Sequence, residues 1–368
     1  MWQIEILHDT LLPNLQISRV VFLREKFQDI GQGSATRHGG PQNTSSIVSV
    51  GLRMSVSVLV TGGGGFIGTW VLRELLSRGA TPVVLDLQKN TPRWQKILGP
   101  TADRIEFVSG SLLDRPLLAK IMDDFPVSHI IHLAALLTPD CQQDPFKGAE
   151  VNILGSMALM ELARIHTGRI RGISYASSYA VYGPEIDDQA LGLKSAENRP
   201  PSFYGAFKMS FDLLAEQYWR HFRIASVGIR PHVAYGPERT VGLTAGPSQA
   251  ARAAACGEPY VINYRGRVGY DYVEDVALAF VRSALETPPG WAVVDLPSHL
   301  ATIEEVVQVI DQVVPGSGSQ ITINGPEIPS NIPPKPNFIS TLFPDWSPVT
   351  LEQGIRKTVE FYRKQKSG

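Results

Sequence analysis

A glycine-rich segment decides the fold of this chain, and it reads Val60-Thr61-Gly62-Gly63-Gly64-Gly65-Phe66-Ile67-Gly68. It follows an apolar β-type run and opens an amphipathic helical pattern. Gly62 permits a tight turn, Gly65 lets the backbone approach a ligand closely, and Gly68 lets the helix pack against a sheet. The free amide groups at the start of the helix, at Phe66 and Ile67, can then bind phosphate oxygens. The segment therefore predicts a dinucleotide-binding loop.

Short β-rich runs alternate with helical patterns on the carboxyl side of this loop. Such alternation implies right-handed βαβ units and a parallel sheet covered on both faces. We therefore predict an α/β fold, a Rossmann-type doubly wound parallel sheet. The predicted strands are 56–60, 82–86, 105–108, 129–133, 170–174 and 224–229, and the predicted helices are 66–78, one from 114, 146–166 and 203–221.

The two ends of the chain differ from this central pattern. Residues 1–53 contain a polar Gly/Ser/Thr/Asn-rich stretch from 32 to 46, and we expect a poorly ordered extension or the product of an upstream start codon. Residues 54–368 are predicted to form the working domain, with the cofactor-binding part at about 54–235. A small mixed C-terminal substrate lobe, mainly 236–368, is predicted over the carboxyl edge of the sheet. It should hold helices 273–285 and 303–313, a strand at 291–296 and a closing helix from Leu351.

The composition argues against several classes of protein. The 34 basic and 35 acidic residues nearly cancel, so nothing favours a nucleic-acid or membrane partner. The two cysteines, Cys141 and Cys256, have no metal-ligand spacing, and we predict neither a disulfide framework nor a metal site. No apolar run reaches the roughly 18 residues that span a bilayer. We expect a cytoplasmic protein that acts on a small molecule.

Asp86 ends the second predicted strand and bears on the choice of cofactor. A carboxylate at this point can accept hydrogen bonds from the adenosine ribose hydroxyls and repels a 2′-phosphate, which favours NAD over NADP. Lys89 and Arg93 lie close in sequence and could weaken that preference. We predict NAD as the cofactor.

Tyr204 and Lys208 stand at i and i+4 of a predicted helix and therefore share one face. The Lys208 ammonium, together with a positively charged nicotinamide ring, would lower the pKa of the Tyr204 phenol, which could then exchange a proton with a substrate hydroxyl. Ser178 follows another strand and can hydrogen-bond the reacting oxygen, with Ser177 as the alternate. Alone, a Tyr-x-x-x-Lys pair is a frequent accident, but together with Ser178 and the glycine loop it predicts a hydride-transferring active site.

These motifs resemble those of the extended short-chain dehydrogenases/reductases, within the NAD-dependent epimerase/dehydratase group. The resemblance covers about residues 55–364 and implies that Ser178, Tyr204 and Lys208 are catalytic and that Lys208 also binds the nicotinamide ribose. It further implies a homodimer built on the helices that carry Asn152 and Tyr204. The matching motifs are the dinucleotide loop Thr61–Gly68, the cofactor-lining segment His132-Leu133-Ala134-Ala135 and Asn152 on the next helix. Arg230-Pro231 with Tyr235-Gly236-Pro237 matches the motif of the last strand, and residues 271–277 resemble a downstream Tyr-Val-x-Asp-Val segment.

Three positions depart from the family pattern. Ser111, beside Leu112, stands where the family usually has an acid that contacts adenine. Val233 replaces an asparagine, and Val268 replaces an arginine that holds the diphosphate of a nucleotide sugar. A small shift of register could instead bring Arg265 or Arg267 to that point. The departures make a smaller substrate, such as a free sugar or a sugar acid, competitive with a nucleotide sugar.

The resulting hypothesis is an NAD-dependent oxidoreductase or epimerase of carbohydrate metabolism that oxidises a secondary hydroxyl of a sugar or sugar-acid-like substrate. The alternatives are a nucleotide-sugar 4-epimerase that retains its NAD and a non-catalytic dinucleotide-binding regulator, which would not need the Ser-Tyr-Lys set. Candidate substrate contacts are Thr138, Ser178, His232 and Arg239. Arg239 could bind a carboxylate or phosphate, or equally be a solvated loop residue. His232 could contact the substrate, but a packed histidine is the favoured interpretation.

Overall fold

The structure is a computed structural model that describes residues 56–183, 187–188, 193–194, 200–286, 289–328 and 336–367. The predicted extension, residues 1–53, lies outside the described residues. The strands in chain order are β1 Ser57–Thr61, β2 Thr81–Asp86, β3 Glu106–Ser109, β4 Val127–His132, β5 Gly172–Ala176, β6 Asp187–Asp188, β7 Leu193–Lys194, β8 Ser226–Arg230, β9 Val233–Tyr235, β10 Tyr260–Ile262, β11 Arg267–Tyr272, β12 Trp291–Asp295, β13 His299–Thr302 and β14 Ile321–Ile323.

The helices surround these strands. In chain order they are α1 Phe66–Ser77, α2 Thr91–Leu98, α3 Arg115–Asp124, α4 Thr138–Gln143, α5 Pro145–Ala149, α6 Ser156–Ile165, α7 Phe203–Phe222, α8 Gly246–Cys256, α9 Val273–Leu285, α10 Ile303–Val313 and α11 Leu351–Ser367.

Seven parallel strands form the main sheet in the order β12-β8-β5-β4-β1-β2-β3. Successive residues of β1 point to opposite faces, so Val58 and Val60 enter one apolar cluster and Leu59 the other. The helices α1 and α9 cover the first face, while α3, α6 and α7 cover the second. The predicted doubly wound parallel sheet is confirmed. The chain proceeds outward on both sides of β1, which places a topological switch point, and hence a ligand crevice, at its carboxyl end.

The predicted helix over 146–166 is not one regular helix. It consists of α5, a π-helical turn over Glu150–Gly155 and α6, with α4 as a separate helix before it. Asn152 lies in the π-helical turn, whose wider ring changes the direction in which its side chain points relative to a regular helix. Such turns cluster at functional sites, and this one lies beside the loop that follows β4.

The C-terminal part contains the predicted mixed lobe, although its division from the cofactor-binding part is not sharp. Strands β9, β11 and β13 form one small sheet, β10 and β14 form another, and α8, α10 and α11 pack together. The chain returns to the main sheet with β12, the edge strand paired with β8. Residues after 236 therefore contribute both to the lobe and to the sheet.

Two features are absent from the described residues. Within these ranges, no helix is both long and apolar enough to cross a membrane. The same part of the chain contains no group of three or more His, Cys, Asp or Glu side chains placed to hold a metal ion.

Candidate active site

The glycine loop forms the turn between β1 and α1. Gly62 has a φ of +75°, and a Cβ there would lie 2.7 Å from the backbone nitrogen of Ala134 on the neighbouring loop. A Cβ at Gly68 would overlap the carbonyl oxygen of Gly62. Both glycines are therefore required for the turn and for close packing. Gly65 is the N-cap of α1 and supplies no side-chain acceptor, so the first amide groups of the helix remain available for an anion. This arrangement fits a pyrophosphate.

Asp86 lies beside this loop at the end of β2. Its Oδ2 accepts the amide of Gly64 at 2.9 Å and its Oδ1 accepts the amide of Leu87 at 2.7 Å. Each carboxylate oxygen keeps a second lone pair for a ribose hydroxyl. Arg93 donates Nη1 to the Gly64 carbonyl at 2.9 Å, and the Lys89 ammonium lies 5.3 Å from the centre of the Trp94 ring. Both cations near Asp86 thus have partners within the chain, so they reach a 2′-phosphate only by giving up those contacts.

A chain of buried hydrogen bonds joins β1 to the π-helical turn beneath the crevice. Thr61 Oγ1 lies 2.7 Å from His132 Nδ1, and His132 Nε2 lies 2.8 Å from Ser156 Oγ, which donates to the Asn152 carbonyl at 2.8 Å. Since Ser156 uses its proton on Asn152, His132 donates from Nε2 and accepts from Thr61 at Nδ1. Burial lowers the pKa of His132 to about 3, so the ring is neutral. The sequence predicts that the segment starting at His132 lines the cofactor and that His132 is a sheet-edge residue; it does not indicate these hydrogen bonds.

The loop after β4 is held from two sides. Thr61 Oγ1 accepts the amides of Leu133 and Ala134, both at 3.3 Å. Asn152 accepts the amide of Leu136 at 2.8 Å and donates Nδ2 to the Leu136 carbonyl at 2.9 Å. The structure therefore uses the Asn152 side chain to position this loop, and a direct contact of Asn152 with the cofactor stays a prediction.

The other predicted cofactor contacts lie around the same crevice. Ser111 Oγ accepts the amide of Leu113 at 3.2 Å, and a Cβ at Gly155 would lie 3.0 Å from Cβ of the buried Leu112. Ala135, in the loop after β4, is partly exposed. These residues remain predicted contacts.

Ser178, Tyr204 and Lys208 come together at the carboxyl end of β5 and the start of α7. Ser178 Oγ accepts the amide of Ala180 at 3.1 Å and is hydrogen-bonded to the Tyr204 hydroxyl. The Lys208 ammonium lies 5.6 Å from the centre of the Tyr204 ring and donates to the Ala176 carbonyl at 2.6 Å. Tyr204 is partly exposed and Lys208 is buried. Ser202 caps α7 by accepting the amide of Gly205 at 3.1 Å, which fixes the helix that carries both groups.

The protonation of this pair is governed by burial. Burial raises the pKa of Tyr204 to about 12, although the hydrogen bond with Ser178 acts in the opposite direction. Burial also lowers the pKa of Lys208 to about 8, opposed by the nearby Asp212 carboxylate. The residues of the chain alone therefore raise the pKa of Tyr204. The lowering that we expect from Lys208 together with a positively charged nicotinamide ring stays a prediction.

A buried charged network that we did not predict lies next to these groups. Asp212 accepts Ser177 Oγ at 2.8 Å and Arg230 Nη2 at 2.7 Å, and Arg230 Nη1 donates to the Tyr182 hydroxyl at 2.7 Å. Tyr182 in turn donates to Asp295 at 3.0 Å. Asp212 follows Tyr204 and Lys208 at i+8 and i+4, a spacing that could have been recognised in the sequence. Asp295 is the last residue of β12, and no pattern in the neighbouring sequence indicates that it belongs to this network.

Ser177 takes part in this network and Ser178 does not, so the two serines have different hydrogen-bond partners. Ser177 is buried, and its hydroxyl is used on Asp212, whereas Ser178 faces Tyr204. The geometry thus favours Ser178 over Ser177 for contact with the reacting oxygen.

Three of the predicted substrate contacts, His232, Arg239 and Thr138, differ in burial and in hydrogen bonding. His232 Nδ1 accepts the amide of Gly269 at 2.6 Å, and its ring stacks on Tyr179 with centroids 4.6 Å apart. Burial lowers the pKa of His232 to about 4, so the ring is neutral and carries its proton on Nε2. Arg239 donates to the Ala234 carbonyl and to Thr244 Oγ1 at 2.7 Å, and Thr138 is exposed at the first residue of α4. His232 is thus largely a packed residue, and Arg239 is not a solvated one.

The two valines that depart from the family motifs also have apolar surroundings in the structure. Val233 and Val268 are buried in the core of the lobe. Arg267 Nη2 donates to the Leu300 carbonyl at 3.3 Å, and Arg265 Nη2 donates to the Ile323 carbonyl at 3.3 Å; both side chains are exposed. In the structure Val268 pairs with Ala301, and the alternative alignment that would bring Arg265 or Arg267 to its place in the family motif stays a prediction.

Comparisons with known proteins agree with this geometry. The family model of the NAD dependent epimerase/dehydratase family matches residues 58–291. The chain is 27% identical over 328 residues to a UDP-glucose 4-epimerase of Mycolicibacterium smegmatis, covering 83% of this chain and 98% of that protein. It is 31% identical over 194 residues to D-erythronate dehydrogenase of Cupriavidus necator, covering 48% and 56%. A solved UDP-glucose 4-epimerase of Thermus thermophilus in complex with NAD is 25% identical and superposes with a TM-score of 0.66, covering 84% of this chain and 99% of that one.

Proposed function

Because the chain belongs to the NAD-dependent epimerase/dehydratase family, we propose that it oxidises a secondary hydroxyl of a sugar or sugar-acid-like substrate, with Tyr204 as the acid/base. Membership of this family confirms the predicted resemblance, an NAD-dependent enzyme and NAD as the cofactor. It also argues against a regulator without turnover. The observation that carries the proposal is the contact of Ser178, Tyr204 and Lys208 at the carboxyl edge of a dinucleotide-binding sheet.

Tyr204, Ser178 and Lys208 each have a separate role in the proposed reaction. NAD held at the glycine loop would supply the hydride acceptor for the carbon of the alcohol. Tyr204, as the phenolate, would accept the proton from the alcohol oxygen, so that a ketone remains. Ser178 hydrogen-bonds the same oxygen and holds the Tyr204 hydroxyl in place. Lys208 supplies a positive charge that favours the phenolate form of Tyr204, the form that can accept this proton, and its bond to the Ala176 carbonyl fixes where that charge lies.

The substrate is proposed to lack a nucleoside diphosphate. Two charges on a diphosphate need fixed cationic or polar partners, because an unpaired buried charge is costly. The corresponding positions are the buried side chains Val233 and Val268, and Arg267 is directed to Leu300 and Glu305 instead. A free sugar or a sugar acid carries no diphosphate and therefore does not need these partners.

A nucleotide-sugar 4-epimerase that retains its NAD is the second candidate. It is favoured by the near full-length similarity to a UDP-glucose 4-epimerase, since the match covers 98% of that protein. An epimerase returns the hydride to the opposite face of the keto intermediate and releases no NADH. The two candidates use the same residues of this chain and differ in the substrate and in the fate of the hydride.

The experiment is a screen for NADH formation with the purified full-length protein over free sugars, sugar acids and nucleotide sugars. Our proposal predicts net NADH with a free sugar or sugar acid and none with nucleotide sugars. Conversion of a nucleotide sugar to its 4-epimer without net NADH, on NAD that survives purification, would overturn the proposal in favour of the second candidate. The Tyr204→Phe protein serves as the inactive control in both assays.

We further propose a homodimer formed through the helical region that carries Asn152 and α7. Leu154 lies in the π-helical turn and Ile165 is the last residue of α6. Both are exposed, as is Leu213 on the adjacent α7, with 56%, 62% and 58% of their surface accessible. Exposed apolar side chains on two neighbouring helical segments suit a symmetric contact with the same segments of a second copy.

A further inference from the structure

Lys208 is a buried cation whose direct contacts do not compensate its charge. The residue is 5% exposed, and its ammonium donates to the Ala176 carbonyl, which is a neutral acceptor. None of the ion pairs among the described residues includes Lys208. A buried lysine without a counter-charge gives up its proton more readily, because burial penalises the charged form. The proposed reaction needs this charge, since a neutral Lys208 would not favour the phenolate of Tyr204.

Four titratable groups face the Lys208 ammonium, from β4, α4 and α7, and three of them are neutral near pH 7. Burial lowers the pKa of His132 to about 3 and raises the pKa of the Cys141 thiol, so neither group is charged. Burial by the residues of the chain also raises the pKa of Tyr204 to about 12. The fourth group is Asp212, which leaves it as the negative charge beside Lys208 within the described residues.

Asp212 lies one helical turn after Lys208 on α7. Residues at i and i+4 of a helix have their Cβ atoms about 5–6 Å apart, so the two charges act on each other without forming an ion pair. Both side chains are buried, where solvent screens their attraction only weakly. Burial lowers the pKa of Lys208 to about 8, and the Asp212 carboxylate acts in the opposite direction.

One face of α7 binds three consecutive residues at the end of β5, which are residues 176–178. Tyr204 is hydrogen-bonded to the third of them, Lys208 to the first and Asp212 to the second. The side chains that make these bonds follow one another at successive turns of the helix. Asp212 is therefore part of the same contact between helix and strand that positions Tyr204 and Lys208.

The partners of Asp212 favour its charged form. Its Oδ2 accepts Arg230 Nη2 at 2.7 Å and Ser177 Oγ at 2.8 Å. Burial raises the pKa of Asp212, and the Arg230 guanidinium opposes this rise. Burial also raises the pKa of Tyr175, the neighbouring phenol on β5, well above its ordinary value, so that group is neutral.

A second buried carboxylate lies at the far end of this network. Asp295 on β12 accepts the Tyr182 hydroxyl at 3.0 Å and the Asn337 amide at 3.0 Å. Its charge acts on Arg230, as that of Asp212 does. The groups that shift the pKa of Lys208, however, include Asp212 and not Asp295. The two carboxylates therefore share a network but differ in their effect on Lys208.

We propose that Asp212 is a positioning residue of the candidate active site, which compensates the buried charge of Lys208 and so keeps it a cation while Tyr204 accepts the proton of the substrate. Asp212 acts through Lys208 and not on the substrate. This inference rests on the proposed oxidation, because it assigns Asp212 a part in the work of Lys208 and Tyr204.

The test measures the pKa of Lys208 by NMR on the full-length protein with lysine labelled with ¹³C at Cε. Lys208→Arg lacks the signal and thereby identifies it. Asp212→Asn removes the charge but keeps an oxygen that can accept Arg230 and Ser177. It should lower the pKa of Lys208 by at least about one pH unit, since an opposite charge within about 4–6 Å shifts a pKa by about 1–3.

Asp295→Asn is the matched control. It removes the other buried carboxylate of the same network and keeps Asp212, so the pKa of Lys208 should stay as in the unaltered protein. If Asp212→Asn does not fold, Asp212→Asn combined with Arg230→Gln removes both charges of the ion pair, which costs less stability than an unpaired buried charge. This double variant should lower the pKa of Lys208 in the same direction.

The oxidation assay gives a second readout. In Asp212→Asn the alkaline decline of kcat/KM should begin at a pH lower by about the same amount, because Lys208 loses its charge earlier.

Two results would overturn the proposal. One is an unchanged pKa of Lys208 in the variants that lack the Asp212 charge. The other is an equal fall in Asp295→Asn, which would show a general disturbance of the network. The NMR measurement needs no substrate, so a failure to form NADH in the screen would refute the proposed oxidation and leave the coupling of Asp212 to Lys208 intact.

Discussion

At the residue scale, the adjacent serines at the end of β5 have different roles in the structure. Ser177 is buried and bonded to Asp212, whereas Ser178 contacts Tyr204. Ser178→Ala should lower kcat by about 10²-fold with little change in Tm, because it removes a group that contacts the reacting oxygen. Ser177→Ala should do the reverse, lowering Tm while kcat stays within a fewfold, because Asp212 loses a buried hydrogen bond. Thermal melts and steady-state rates check both, and equal effects of the two variants on kcat would refute the assignment.

Asp86 offers a second residue-scale prediction. Its carboxylate stands beside the phosphate loop, with Arg93 and Lys89 close by and engaged within the chain. Asp86→Ala should reduce the preference for NAD over NADP by at least tenfold, since it removes both the ribose acceptor and the repulsion of a 2′-phosphate. Dissociation constants for the two dinucleotides measure this, with Asp114→Ala, the N-cap of α3, as a control that should not alter the preference. An unchanged preference in Asp86→Ala would contradict the ribose role.

Much of the candidate catalytic set could be predicted from residues close in sequence. Tyr204 and Lys208 share a helical face, and the glycine loop has a fixed spacing, so local rules suffice. Asp295 could not be found in this way, because it reaches Tyr182 only through the pairing of β12 with β8. The sequence also does not show how far burial by the chain alone raises the pKa of Tyr204, since desolvation depends on the packing of the entire region.

At the scale of elements, the parallel sheet was predictable and the lobe was not. The main strands are continuous apolar runs separated by helical patterns, which is the clearest signal of a parallel sheet. Strands β9 and β10 have three residues each, too few for a periodic pattern, and they are defined by pairing with distant partners. The π-helical turn over Glu150–Gly155 keeps the apolar pattern of a helix, so the sequence does not distinguish it from a regular one.

The exposed apolar residues of two helices lead to a prediction at this scale. Leu213→Glu should convert a homodimer into a monomer, because an isologous contact places the introduced charge against its own symmetry mate in an apolar surface. Light scattering coupled to size exclusion measures the mass. Val241→Glu is the matched control, since Val241 is 72% exposed on the loop before α8, outside the proposed interface. A monomeric unaltered protein, or an unchanged dimer in Leu213→Glu, would contradict the proposed interface.

At the scale of the whole molecule, buried carboxyl groups make stability depend on pH. Burial raises the pKa of Asp271 from its ordinary 3.8 to about 7. Between about pH 4 and pH 7 the folded protein therefore holds a proton that the unfolded chain has released, and stability falls as pH rises through this range. Asp271→Asn removes this contribution while its amide oxygen can still accept the His232 amide.

We accordingly expect a smaller drop in Tm between pH 5 and pH 8 in Asp271→Asn than in the unaltered protein. Calorimetric melts across this range measure the difference. Asp345→Asn serves as the control, because Asp345 is an exposed group whose pKa is lowered by its hydrogen bonds to Arg282, so it should not flatten the profile. A profile in Asp271→Asn that is as steep as in the unaltered protein would show that Asp271 is charged throughout.

The most direct test of the central claim is Tyr204→Phe, measured for NAD binding and for turnover on the same preparation. The variant removes one hydroxyl and keeps the ring beside Lys208. We predict an NAD dissociation constant within about threefold of the unaltered protein and a loss of kcat of at least about 10²-fold, since only the proton-transferring group is absent. An unchanged kcat would contradict the assignment of Tyr204 as the acid/base of this site.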